Sequence, residues 1–470
     1  MIILSGCSGG GGGNGGGNSG GGNGGAPKVD PLQAVLKIFV NQDGVYKLDY
    51  DILKASGFNV AGINPKSLKL SNFDSGQWVE IPIHVSGEDD KQFNSGDFLE
   101  FYGIGIHRDD RRFEFTETNV YWLSEEAGVR KRMVFKNPLL TATDQDTFPV
   151  VAHLETNSHY WQNLPDETPG DGVKPDRWLW GSFLEKGESR FGEFVFNVSN
   201  YSKIDPVRLT FRFQSRSSFP GHRVKVFLNF DTHLIADSSW DGLASHTFYA
   251  DITASDGLQN GVNSLKIENA SDNDLSQVYL DWFEVSYQDT LISDDGKELV
   301  FQGGDLTPRR FQLKGFSVKP DIYDITDYPS AIYRITPEAT FSDFRFADDP
   351  ARRYIAAIDG GKLSPTVLLA GTAGLKSGTS GVHYIVITHE NFADAIKPLV
   401  DYRVKQGLKV LSAKMGDVYD EFSGGVVDPL AIKEFLKYAK ANNPSTLRYA
   451  LLVGDATYDY KNHLPNSVTS

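Results

Sequence analysis

The chain contains one cysteine, Cys7, and its place near the start decides much of the chemistry open to the rest. A single thiol forms no internal disulfide framework and no thiolate zinc site, and it leaves the body without a cysteine nucleophile. Beyond Gly381, three histidines, His383, His389 and His463, flank apolar runs. None belongs to a metal-binding pair of the His-Glu-x-x-His kind, because His389-Glu390 continues as Asn391-Phe392-Ala393. They read as solvated loop residues. Asp455 and Asp459 follow the last apolar run, where an aspartate either bonds the backbone of its own turn or serves a ligand at the carboxyl end of a strand. Trp178, Trp180 and Trp240 lie in strand-like sequence, and such rings either stack on sugars or fill strand interiors.

The first 31 residues read as an address and a tether. Leu4-Ser5-Gly6-Cys7 resembles the bacterial lipobox, which makes Cys7 the expected lipidation site and mature N-terminus. Only Met1-Ile2-Ile3 precedes it, short of the basic region and apolar core of about 7–15 residues in a signal peptide, so the reading frame is expected to start further upstream. A chance cysteine at a ragged terminus is the other reading. Residues 8–25 are glycine apart from serine and asparagine, with nothing to bury and much backbone entropy to lose. A coil of about 18 residues spans roughly 20–25 Å, enough to hold a domain clear of lipid headgroups. Ser8 stands where inner-membrane retention is associated with aspartate, so the outer membrane or cell surface is the expected location. No apolar run of ~18 residues follows, which leaves the lipid anchor as the only expected membrane contact. With 46 Lys and Arg against 61 Asp and Glu, a net charge of −15 argues against nucleic acid as a partner.

At 470 residues and 40% hydrophobic content, several packed domains are expected. From Val35 to about Ser377 the pattern is of short strands between Gly, Asn, Asp and Pro. A β-rich module is assigned to 32–165; it includes a helical turn at 50–55 that Gly57 can stop. A β-sandwich is assigned to 175–290 and a β-rich connecting segment to 291–377. In the sandwich, Val207, Leu209, Phe211 and Phe213 alternate with Arg208 and Arg212, predicting a half-buried strand with both arginines on the outer face. The apolar parity changes between Trp282 and Phe283, which predicts a bulge or a strand buried on both faces. The sequons at Asn197 and Asn269 are weak signals.

Glycines 371, 374, 378 and 381 read as a linker to a segment of different character, 382–470. Tyr384-Ile385-Val386-Ile387-Thr388 is continuously apolar, as a doubly buried parallel strand should be. Phe392, Ala395, Ile396, Leu399, Val400 and Val404 recur at helical spacing, although Pro398 requires a kink or a helix that begins there. Leu408-Lys409-Val410-Leu411 is the second expected strand. Asp428 with Pro429 should start a helix buried through Ile432, Phe435, Leu436 and Ala439, and Tyr449-Ala450-Leu451-Leu452-Val453 is the third strand.

Tyr384-Ile385-Val386-Ile387-Thr388-His389, Pro398-Leu399-Val400-Asp401-Tyr402-Arg403 and Leu451-Leu452-Val453-Gly454-Asp455-Ala456-Thr457-Tyr458-Asp459-Tyr460 resemble the opening of the gingipain-type cysteine peptidase domain. Gly96-Asp97-Phe98-Leu99-Glu100-Phe101-Tyr102-Gly103 and Leu280-Asp281-Trp282-Phe283-Glu284-Val285 are similar to upstream modules of larger members, among them the sortase-like component of type IX secretion. The resemblance implies a multidomain chain: a β-rich N-terminal module and β-sandwich followed by an incomplete α/β caspase-like domain. It implies a cysteine-type peptidase acting on peptide or protein substrates by a Cys/His pair. That pair lies in the family C-terminal to the Val-Gly-Asp strand, so no catalytic position is assigned before Ser470 and this chain is expected to be inactive. Calcium is a cofactor the resemblance admits, but Asp455 and Asp459 fall short of the six or more oxygens it takes. Two alternatives stay open: a non-catalytic surface binding or adhesion lipoprotein that uses its β-sandwich modules, and a sortase-like transpeptidase.

Overall fold

A computed structural model of the chain describes residues 2–3, 35–164, 176–187, 189–230, 232–339, 343–371 and 374–464. Cys7 and the whole glycine tether lie outside them. The described chain is β-rich through Ala370 and α/β beyond it.

The sandwich shows how alternation becomes a core. Val207, Leu209, Phe211 and Phe213 of the strand Val207–Ser215 are wholly buried. Their sheet also contains Thr147–Glu155, Trp178–Glu185, Ser245–Ile252 and the long Gln277–Thr290. A second sheet, Phe191–Val198, Gly261–Asn269, His222–Leu228 and Leu234–Trp240, sends Val224, Val226, Leu265 and Ile267 into the same core. Each such side chain contributes about 1.5–3 kcal/mol. The parity change is a bulge: pairing jumps from Arg212 opposite Trp282 to Phe213 opposite Leu280, which leaves Asp281 as the extra residue. Arg212 corrects the expectation of an exposed outer face. It is buried, 3.3 Å from buried Asp281, because other parts of the chain cover this face of the sheet.

The β bodies interleave where the sequence suggested contiguous blocks. Thr147–Glu155 pairs along its whole length with Gln277–Thr290 and so belongs to the sandwich sheet. Thr366–Ala370 is an edge strand on Val35–Val40 of the first body. Val134–Lys136 and Thr143–Gln145 pair in parallel with Tyr333–Ile335 and Arg309–Leu313. A third body thus forms around Phe301, Phe311, Phe346 and Tyr354. Strand patterning records which residues are buried but not which strand lies alongside. In the first body the expected helical turn is Tyr50–Ala55, where Asp49 accepts the Ile52 N–H at 2.8 Å and Gly57 has φ +84°.

In the α/β segment, Tyr384–Thr388 is the central strand, parallel to both Val410–Lys414 and Tyr449–Val453. Met415–Phe422 and Leu430–Asn442 build the core with it through Val418, Phe435 and Ala439. Asp428 accepts the Leu430 N–H at 2.9 Å, as a cap should. Three expectations are corrected. The helix begins around Pro398, one of the two expected outcomes, and runs Lys397–Lys405 with proline in its first turn, but its stripe is not a buried one: none of its residues is buried, and Val404 and Phe392 lie exposed. The second strand is displaced to Val410–Lys414. The glycine run is no free linker: Leu375–Gly378 is a helical turn whose Leu375 enters the core, and Glu421 accepts the N–H groups of Leu375 and Lys376 at 2.6 and 3.0 Å. No described helix is long and apolar enough to cross a membrane.

Candidate functional site

Parallel strands align their carboxyl ends, and here Thr388 stands beside Lys414 on one side and Val453 on the other. Open α/β sheets bind ligands outside that edge. Three short segments make it up. After the first strand, His389 Nδ1 accepts the Asn391 N–H at 3.2 Å, while Glu390 accepts the Gly416 N–H at 2.8 Å and so ties the first loop to the second. After the third strand, Gly454 turns at φ +144°, a conformation that favours glycine. Asp455 follows and accepts the Ala456 N–H at 2.9 Å. The edge holds an imidazole and carboxylates, but the described residues contain no thiol to act as nucleophile.

The loop leaving this edge is fastened to both neighbouring β bodies. Asp459 is buried and accepts the N–H groups of His463 and Leu464 at 2.8 and 2.9 Å, which folds 454–464 into a compact turn. Tyr458 stacks on Tyr160 with centroids 4.5 Å apart, and His463 packs on Trp178 at 4.6 Å, both in the sandwich. Tyr460 meets Phe115 edge-on at 4.9 Å in the first body. Lys461 pairs with Glu117 at 3.0 Å, its ammonium 3.5 Å from the Phe113 ring centroid. Burial, then Lys461, holds the His463 imidazole below its usual pKa. A second attachment lies at 424–428: Trp122 Nε1 donates to the Gly424 carbonyl at 2.7 Å, and Arg111 grips Asp428 through both terminal nitrogens.

Next to this loop a cleft of about 610 Å³ opens between the first body and the sandwich. Two imidazoles, each held by a carboxylate, face it: His107 with Asp43 at 2.6 Å and His153 with Glu284 at 2.9 Å. Burial, against the Glu284 hydrogen bond and with help from Arg108, lowers the His153 pKa. Behind it Glu155, Asp176 and Asp281 bring carboxylate oxygens within 4.8 Å of one another. Arg108 is paired with Glu155 and Arg212 with Asp281, so this cluster is a charge network with its own cations. Neither it nor Asp455 and Asp459, which already accept backbone amides, fits calcium on the structure's terms.

The residues singled out by sequence separate accordingly. His383 Nδ1 accepts the Lys409 N–H at 3.0 Å, and His389 caps a turn, so these are working loop residues; His463, packed on Trp178, departs from the solvated reading. Trp180 stacks on Phe283 at 5.6 Å and Trp240 on His246 at 4.6 Å, which places both rings within the sandwich's own packing. Asn269 is buried and bonds the carbonyls of Leu184 and Ser276, while Asn197 is exposed. Sequence reasoning missed Phe113, Glu117 and Lys461. Their only local signal was the dense charge around Arg108-Asp109-Asp110-Arg111-Arg112.

Residues 378–470, the α/β segment, match the model of peptidase family C25. Across its β bodies as well, the chain is similar in fold to PorU from Porphyromonas gingivalis, known from a crystal structure of its dimeric latent form. The TM-score is 0.67 at 17% identity, covering 92% of this chain and 42% of PorU. The chain therefore spans less than half the length of that relative. Two carbohydrate-binding modules align with smaller parts: CBM36 in complex with calcium and xylotriose (12% identity, 28% of this chain, 98% of its own, TM-score 0.20) and a family 35 module from an environmental isolate (15%, 32%, 97%, 0.18). Scores that low carry no argument. No curated protein matches the chain.

Proposed function

We propose that this chain is the N-terminal portion of a surface-anchored, gingipain-type cysteine endopeptidase. The observation that carries the reading is the family match of 378–470 to a segment with three parallel strands, whose carboxyl edge the β bodies flank. In this reading a thiolate attacks the peptide carbonyl of a protein substrate while a histidine accepts and returns the proton. Both groups belong to polypeptide that follows the third strand, and the β bodies and parallel strands supply the scaffold. The chain by itself is then inactive. The test is to express the protein from a reading frame continued past Ser470. Peptide hydrolysis abolished by replacing a downstream cysteine with alanine supports the proposal. A continuation with no His-Gly motif followed by cysteine removes its enzymatic half. An added amine acceptor distinguishes transfer from hydrolysis and so tests the transpeptidase alternative.

Surface anchoring rests on Cys7 and the tether. Metabolic labelling with an alkyne fatty acid should mark the wild-type protein and leave Cys7→Ala unlabelled. The adhesion alternative draws no support from Trp180 and Trp240, whose rings pack against the sandwich's own side chains.

A further inference from the structure

We infer that the cleft between the first β body and the sandwich is a docking site for a cationic segment of a polypeptide, an accessory site beside the edge of the peptidase sheet. Its size is the first argument: about 610 Å³ lies within the range of ligand-binding clefts, which favour junctions between domains. Its charge is the second. Asp43, Asp109, Glu117 and Glu284 all face the cleft, while the one arginine in its lining, Arg108, is paired with Glu155. Burial, helped by Arg108, holds the His153 imidazole below its usual pKa, so that ring adds no fixed positive charge.

The third argument is an occupant already in place. Lys461 enters at the rim, pairs with Glu117 and sets its ammonium over Phe113, while the guanidinium of Arg108 lies 6.0 Å from the same ring. A carboxylate beside an aromatic face is a seat for an extended cationic side chain, and Lys461 shows that one fits. Further carboxylates, Asp43 and Glu284, continue along the cleft beyond that seat. Lys461 also belongs to the loop leaving the carboxyl edge of the parallel sheet, so the cleft is tied to that edge through this loop. Calling the ligand a polypeptide rests on the peptidase reading; cation binding stands apart from it.

The probe is fluorescein-labelled hexalysine, with hexaglutamate and a neutral Ser/Gly hexapeptide for comparison, measured by anisotropy on the whole 470-residue chain. Hexalysine should bind and the other two should not. Asp43→Asn with Glu284→Gln should weaken binding at least fivefold. Because those carboxylates also hold histidines, a second variant uses exposed Asp109 and leaves Glu117 on Lys461: Asp109→Asn should weaken it about twofold or more. Asp272→Asn with Asp274→Asn, two exposed carboxylates elsewhere, should leave it unchanged. No hexalysine binding, equal binding of hexaglutamate, or equal loss in the Asp272/Asp274 variant overturns the inference. None of these readouts needs catalysis. A continued reading frame without the catalytic pair sinks the peptidase proposal and leaves this result standing.

Discussion

The first β body meets the third around Glu100, which is wholly buried, accepts from Lys362 at 2.6 Å and from the Tyr323 hydroxyl at 2.9 Å. Lys362 is buried too and reaches Asp321 at 2.7 Å. The same first body meets the α/β segment around Trp122 and the backbone of Gly424 and Gly425, with Lys37 to Asp420 at 2.6 Å and the half-exposed Arg111 on Asp428. One junction confines charges away from water, so separating it strands an ion. The other is shaped by close approach of backbone and indole; it too encloses an ion pair, Lys37 with Asp420, but the Arg111 end of its second pair stays half-exposed. The β bodies are therefore expected to behave as one unit and the α/β segment as a unit docked on them.

Glu100→Gln should give the largest effect, because it removes the one wholly buried carboxylate from Lys362 and leaves it only Asp321 at 2.7 Å and the exposed Asp359 at 3.7 Å. Breaking such a pair costs about 3–5 kcal/mol. The β-body transition in chemical denaturation should move by that amount. A shift below about 1 kcal/mol would erase the contrast between the junctions. At the second junction, Gly424→Ala places a Cβ 2.1 Å from the Phe73 Cβ at a backbone φ of +66°. Overpacking and left-handed strain together cost about 2–4 kcal/mol. The expected result is faster hydrogen exchange through 415–453 with the β-body transition unmoved. Loss of both together would mean that the two units unfold as one.

Much of this architecture was legible because strands and helices announce themselves locally. Val207 through Phe213 alternated and became a strand, Tyr449–Val453 was continuous and became a parallel one, and Ile432, Phe435, Leu436 and Ala439 sat at helical spacing and faced the core. The junctions were not legible. Nothing near Arg111 says that its partner is Asp428, and nothing near Phe113 points to Lys461, because contacts between residues more than 300 positions apart leave no periodic trace. Arg212 shows the same limit in one residue: alternation assigned its face correctly, but what covers that face lies elsewhere in the chain. The helix Met415–Phe422 was missed for a different reason. Gly416 interrupts its first turn and Gly424 and Gly425 follow close behind it, so the segment offers no sustained helical stripe.

A pH experiment sharpens the comparison on the β side. His84 has its pKa lowered to about 4, by burial first and then by Arg334, next to the Glu100 network. The unfolded chain binds this proton near pH 6.5, so the stabilising preference for neutral imidazole is complete above that value and is lost as pH falls towards 4. Because the ring is only half-buried, solvent screening reduces the effect to about 1 kcal/mol between pH 7 and pH 5. Denaturation midpoints of the β-body transition should fall over that interval in the wild type and fall less in His84→Gln. Equal slopes would remove His84 from the network's pH response.

The smallest expected effect is Arg111→Ala, and it separates specificity from stability at the docked junction. Arg111 is 53% exposed, so water competes for its guanidinium throughout, and pairs of that kind contribute about 0.5–1 kcal/mol. Asp428 is only 6% exposed, yet it keeps its hydrogen bond from the Leu430 N–H when the arginine is removed, so its charge is not stranded. Lys37 with Asp420 and the indole bond to Gly424 remain. Hydrogen exchange in 415–453 should therefore rise by no more than about fivefold, and should become less sensitive to salt than in the wild type, since the screened pair is gone. An increase as large as that of Gly424→Ala would show that charge, rather than backbone approach, holds the α/β segment in place.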